Sequence, residues 1–307
     1  MTSASGQESS PSRAGRAAGR AVVRLPPHGY FLVSAVFHYL GPAFAVLLFA
    51  RVDVLGVAWL RIASAAVLFA AWRRPWRFFR SLPWSDRWVL IALGSVLGVM
   101  NASFYLAISR LPLSTVGAIE FLGPIALAAV GARTARNCSA LVLAAAGVYL
   151  LTNVRLVAQP LGFAFAFANC AFFFLYIILA HRIAQRGSSA GVDGLGAAML
   201  IALVVVMPIG LQGAAPALAS PFLLAAGIAV GICSSVIPYV TDQLAMARLS
   251  RATYALLLSL LPATATVIGV LVLAQLPRPQ ELLGIALVIL GVAVHRERQE
   301  QRPPAKR

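Results

Sequence analysis

The sequence predicts an all-α integral membrane protein with ten transmembrane helices, arranged as two inverted five-helix repeats. Composition is the first reason. Of 307 residues 60% are hydrophobic and 11% charged, where soluble domains average about 45–50% and about 25%. The mean hydropathy is +0.86, and a water-soluble fold of this makeup would expose apolar patches that soluble monomers rarely tolerate. Soluble enzymes and disordered proteins are thereby excluded. The second reason is that the apolar runs alternate with basic clusters in a pattern that fits ten crossings. The third is an internal repeat that divides the chain into halves of five helices.

Residues 1–29 are polar and rich in Ser, Gly, Ala and Arg, the makeup of a disordered tail. Apolar segments follow at 30–50, 54–72, 88–109, 112–131, 137–154, 160–180, 192–213, 220–243, 251–273 and 280–295. A crossing helix needs about 20 apolar residues, and a helix satisfies its own backbone polar groups in lipid. The first segment exceeds the 7–15 apolar residues of a signal peptide core, so it reads as an uncleaved helix. Residues 296–307 form a second polar tail.

The bases test this count. With the N-terminal tail inside, the inner segments carry Arg13, Arg16, Arg20 and Arg24, then Arg73, Arg74, Arg77, Arg80 and Arg87. Arg133, Arg136, Arg182, Arg186, Arg248 and Arg251 follow, and Arg296, Arg298, Arg302, Lys306 and Arg307 close the chain. The outer loops hold only Arg51, Arg110, Arg155 and Arg278. Such a bias places both termini in the cytoplasm of a plasma (inner) membrane protein. It also accounts for the net charge of +16 without nucleic acid as a partner.

A shift of 138 residues aligns Leu106–Gly131 with Leu244–Gly269. The identities are Leu106/Leu244, Ala107/Ala245, Arg110/Arg248, Leu111/Leu249, Thr115/Thr253, Leu122/Leu260, Pro124/Pro262 and Gly131/Gly269. With a six-residue insertion the register continues into Gly147/Gly291 and Val148/Val292. The halves are 30–154 and 160–295. Because five is odd, the second half enters the membrane inverted, and such repeats place a substrate site near the midplane between them.

A charge at bilayer depth costs at least about 2.5–3.5 kcal/mol and is a functional candidate by default. Glu120 lies about 14 Å into the fourth segment and Arg61 about 10 Å into the second. Both segments run from outside to inside, so the two side chains can meet. One reading has Glu120 binding a cationic amine or a proton and Arg61 a carboxylate. The other is a buried ion pair that fixes helix packing. His38, Asn101, Tyr105, Asn169 and Tyr176 lie at comparable depth, as lining of a polar centre or as interhelical hydrogen-bonding glue. Asp242 is a candidate for an inner gate. Pro124 and Pro262 each remove a backbone bond and are candidate hinges.

No H-E-x-x-H, G-x-S-x-G or GxxxxGK[ST] sequence occurs, and Cys138, Cys170 and Cys233 have no metal-ligand spacing. Neither an enzyme nor a metal or other cofactor is called for. The partners expected are a small-molecule substrate, the bilayer, a coupling proton and a second copy of the chain as a homodimer.

Several segments resemble a known family. These are Met100-Asn101, Phe104-Tyr105-Leu106, Leu111-Pro112-Leu113 and above all Glu120-Phe121-Leu122-Gly123-Pro124. Leu60-Arg61, Pro75-Trp76-Arg77 and Pro238-Tyr239 with Asp242 add to it. Together they are similar to the threonine/homoserine exporters of the EamA branch of the drug/metabolite transporter superfamily. The resemblance implies a ten-helix fold with both termini inside that exports small metabolites. Repeat, topology and the intramembrane carboxylate converge on a secondary active exporter, with alternating access and proton antiport through Glu120 as the mechanism. The alternative is a non-transporting membrane scaffold or sensor, or a transporter of another metabolite or drug class. Where the family carries a glutamate before the ninth-helix proline, this chain has Leu261. The family's Gly-Glu turn is Ala274-Gln275 here, and its eighth-helix glutamate is Asp242.

Overall fold

The computed structural model describes residues 26–123, 125–126, 134–153, 159–184, 190–246, 257 and 260–294. Among them every regular element is helical. The helices are α1 (Pro27–Leu48), α2 (Val54–Arg73), α3 (Pro75–Ser81), α4 (Trp84–Ile108), α5 (Leu113–Glu120), α6 (Ala135–Asn153), α7 (Pro160–Ala184), α8 (Ala190–Leu218) and α9 (Pro221–Gly231). A π-helical turn, Ile232–Val236, joins α9 to α10 (Ile237–Met246), and α11 (Leu261–Leu273) and α12 (Pro279–Val294) complete the set. Six spans are long and apolar enough to cross a membrane: those of α1, α2, α4, α7, α8 and the α9–π–α10 run. The helices at 135–151, 261–273 and 279–294 are apolar and shorter.

Local sequence explains where these helices begin. Proline lacks the N–H that a first turn cannot use, and its fixed φ suits that position. Proline opens α1, α3, α7, α9 and α12 and directly precedes α4 and α5. Asp53 caps α2, its Oδ1 accepting from the N–H of Leu55 at 2.9 Å and of Gly56 at 3.4 Å. At α12 the Glu281 carboxylate reaches back to the Arg278 N–H at 2.8 Å, satisfying a donor that the helix leaves open. The short α3 was not expected from the apolar pattern, because it is basic and aromatic rather than apolar.

The chain reverses after α11 through Ala274, whose φ is 52°. A Cβ there crowds the following carbonyl, and glycine takes this conformation freely. Ala274→Gly is therefore expected to raise stability by up to about 1 kcal/mol, read as a higher melting temperature in detergent. An unchanged or lower value contradicts this account of the turn.

Packing follows a regular scheme. Helix α2 packs on α8, and α6 on α12. Helix α1 lies against α10 and α11, α7 against α4 and α5, α4 against α8, α2 against α9, and α5 against α11. Glycines permit the closest of these approaches. A Cβ on Gly284 would sit 2.8 Å from the Gly147 carbonyl oxygen, and one on Gly56 would collide with the Gly213 backbone. Small residues serve membrane helices in this way, since lipid offers no hydrophobic drive to association.

The outward faces carry Leu32, Val67, Phe222 and Leu271, all well exposed, as a lipid-facing surface requires. At the α2–α3–α4 end, Trp72, Trp76, Trp84 and Trp88 are exposed beside Arg73, Arg74, Arg77, Arg80 and Arg87. Tryptophans enriched at headgroup level form the aromatic belt of membrane proteins. The Arg73–Asp193 ion pair, 2.8 Å long, ties α2 to α8 at this end.

Candidate functional site

The interior is not uniformly apolar. Helices α1, α2, α4, α5, α7 and the π turn all direct polar side chains into it. Glu120, Arg61, Asn101 and Asn169 are each less than a tenth exposed.

Glu120 is the last residue of α5. The regular helix breaks immediately after it, and Phe121 takes up a turn. The cause is partly covalent: Pro124 has no N–H to offer the carbonyl of Glu120, four residues earlier. Pro124 itself lies outside the described residues. The carboxylate accepts a hydrogen bond from Asn169 Nδ2 on α7 at 3.3 Å. From α1, Tyr39 lies within electrostatic reach of Glu120. The Tyr39 hydroxyl rests over Gly117, one turn before Glu120, 3.0 Å from where a Cβ would be.

Arg61 on α2 is held by the π turn. Its Nε donates to Ser235 Oγ at 3.1 Å and its Nη2 to the Ser234 carbonyl at 3.2 Å. That carbonyl is available because Pro238, four residues on, has no N–H to bond it. π turns inside α-helices concentrate at functional sites. Gly41 of α1 lets the turn approach closely, since a Cβ there would overlap Ser234. The guanidinium also lies over the Tyr105 ring, 5.4 Å from its centroid, a cation–π contact from α4. His38 feels the charge of Arg61 and packs edge-on against Tyr39 at 5.2 Å.

Arg61 and Glu120 interact electrostatically but form no ion pair. The Arg73–Asp193 contact is the one ion pair of 4.0 Å or less among the described residues. Of the two readings the sequence left open, the buried ion pair is therefore not the one found. Tyr39 Oη and Asn169 Oδ1 are moreover buried without hydrogen-bond partners among the described residues. Leaving a buried polar atom unpaired costs about 1–3 kcal/mol, so two beside Glu120 call for an explanation.

The remaining candidates are placed as follows. Asn101 Nδ2 donates to the Leu97 carbonyl of its own helix at 2.7 Å, which accounts for one of its donors locally. Tyr176 stacks on Phe173, with centroids 6.2 Å apart. Pro262 is buried in the first turn of α11, where a missing N–H costs little. It does not interrupt a helix described on both sides. Asp242 belongs to α10, but its side chain lies outside the described residues. Sequence reasoning missed Tyr39, Ser234 and Ser235. The signal for the two serines was the Ser-Ser pair preceding Pro238 in an apolar run.

Helices with apolar outward faces define the class: a multi-pass membrane protein. Comparison with known proteins agrees. Residues 160–295 match the EamA-like transporter family. The threonine/homoserine exporter RhtA of Escherichia coli K12 is 32% identical over 252 residues, spanning 81% of this chain and 84% of the relative. RhtA of Salmonella typhimurium LT2 is 32% identical over 256 residues, with the same coverage. A crystal structure covering 86% of this chain and 96% of its own superposes with a TM-score of 0.55 at 17% identity, a likeness of fold. The chain belongs to the EamA-like transporter family, which places it among transporters rather than enzymes.

Proposed function

We propose that the chain exports small zwitterionic amino acids of the threonine/homoserine class across the plasma membrane. The observation that carries this reading is the unpaired coexistence of Glu120 and Arg61 in one buried centre. A zwitterion brings an ammonium for the first and a carboxylate for the second. It arrives with no net charge, so the pair offsets the desolvation of a solute that lipid alone would reject. The relatives named above are exporters of threonine and homoserine, consistent with this substrate class. Glu120 and Arg61 hold the charges. Tyr105, Asn169 and His38 line the same centre, with Asn101 and Tyr176 on its helices.

Export proceeds by alternating access between two inverted halves, 30–154 and 160–295, which supply ten crossings and leave both termini in the cytoplasm. The packing scheme supports this symmetry. Exchanging the halves maps α1 on α10 to α7 on α4, and α1 on α11 to α7 on α5. It likewise maps α4 on α8 to α2 on α9, while α2–α8, α6–α12 and α5–α11 map onto themselves. Protons return through Glu120 in exchange for substrate, with Pro124, Pro262 and Asp242 acting at the hinges and inner gate.

Metabolite profiling of medium from cells overexpressing the chain tests the proposal. Threonine or a close relative is expected to accumulate outside only with the protein present, and to fall when an uncoupler collapses the proton gradient. Identical media, with membrane insertion verified, would sink the exporter reading.

A further inference from the structure

Asn169 is 1% exposed and sits on α7 facing the end of α5. An ionised carboxylate only accepts hydrogen bonds, so Nδ2 is the atom that must face Glu120 and Oδ1 must point elsewhere. It points to nothing: Oδ1 is buried and has no partner among the described residues. Because both atoms branch from one carbon, this unused acceptor lies beside the donor that holds Glu120. A second unused oxygen, the hydroxyl of fully buried Tyr39, lies over α5 one turn away.

We infer that Glu120, Asn169 Oδ1 and Tyr39 Oη form a three-acceptor cradle for a primary ammonium group. The inference rests on the zwitterion reading and deepens it. A primary ammonium has three N–H donors and no acceptor, which matches in number the Glu120 carboxylate and these two unpartnered oxygens beside it. A proton alone would satisfy Glu120 and leave Asn169 Oδ1 as it stands, so the orphaned amide oxygen points to an amine-bearing ligand. The substrate class narrows accordingly. Each N-methyl group replaces a donor that one of these oxygens requires, so primary amines are accepted and N-methylated ones rejected.

The test uses full-length protein in proteoliposomes and counterflow of labelled L-threonine, inhibited by unlabelled L-threonine, N-methyl-L-threonine and N,N,N-trimethyl-L-threonine. With the wild-type chain the monomethyl form is expected to inhibit about tenfold less well than threonine. The trimethyl form should not inhibit at a hundredfold excess. Asn169→Leu should raise the half-saturating threonine concentration about tenfold or more and reduce the gap between threonine and its monomethyl form. Tyr39→Phe, which keeps the ring and its packing, should raise that concentration severalfold. Equal inhibition by all three compounds on the wild-type chain overturns the cradle, and that comparison needs no variant to fold. An unchanged ranking in an inserted Asn169→Leu protein also overturns it. If the wild-type chain carries no threonine at all, the zwitterion reading fails and the cradle with it. If threonine is carried but the trimethyl form competes, only the cradle fails.

Discussion

Glu120→Gln is expected to abolish threonine counterflow while leaving the protein folded and at least as stable. Glutamine has nearly the same shape, and its amide oxygen can still accept from Asn169 Nδ2, now at 3.3 Å from the carboxylate. What disappears is the negative charge. Removing one partner of a buried charged contact costs about 2–5 kcal/mol, a loss of roughly 30-fold or more in affinity. Stability moves the other way because, among the described residues, no arginine or lysine forms an ion pair with Glu120 to compensate its burial. The melting temperature in detergent, measured beside counterflow, distinguishes the two roles. A structural carboxylate would lower both, whereas a substrate-binding one lowers transport alone.

Arg61 carries the second large effect. Its guanidinium already commits Nε and Nη2 to Ser235 and the Ser234 carbonyl, and its plane lies over Tyr105. The remaining N–H groups, beside the Tyr105 hydroxyl, are those that would meet a carboxylate. Lysine is a point charge with three clustered donors. It cannot span both anchors on the π turn and still present a donor to a ligand. Both Arg61→Lys and Arg61→Met are therefore expected to reduce counterflow by roughly 30-fold or more, on the same scale as other buried charged contacts. The lysine variant should recover little of the loss. Near-wild-type transport by Arg61→Lys would show that charge suffices and that the geometry of the anchor does not matter.

The serine anchor also marks where sequence reasoning ran out. Arg61 and Glu120 stood out because charge is costly at bilayer depth, and counting 1.5 Å per residue put them at similar levels. Their contacts could not be read. Helices buried among lipid and one another are apolar all round, so no amphipathic stripe shows which face turns inward. Tyr39, beside the equally buried-looking His38 and Tyr30, gave no sign that its hydroxyl overlies Gly117. Ser234 and Ser235 looked like ordinary small residues, because their use depends on a π turn and on a proline four residues from Ser234. The turn-forming Ala274 was legible only as a departure from a glycine, and the structure gives that departure a physical meaning through its positive φ. Pro262 was expected as a kink by analogy with Pro124; the described helix begins beside it at Leu261, and residues 258–259 lie outside the described residues. Composition and charge bias concern the bilayer, and it is composition that the apolar helices bear out. The arrangement of polar atoms inside it depends on helix rotation, which neither records.

The central claim is that one buried centre binds both charges of a zwitterion. The most direct measurement is competition for labelled L-threonine on the purified wild-type chain by L-threonine, L-threonine amide and N-acetyl-L-threonine. The amide keeps the ammonium and lacks the carboxylate, and the acetyl form does the reverse. The account predicts that threonine displaces the label and that each analogue is weaker by roughly 30-fold or more, since each leaves one buried charge without its partner. Equal displacement by either analogue would mean that only one of the two charges is read, and would contradict the assignment of Glu120 and Arg61 as a pair.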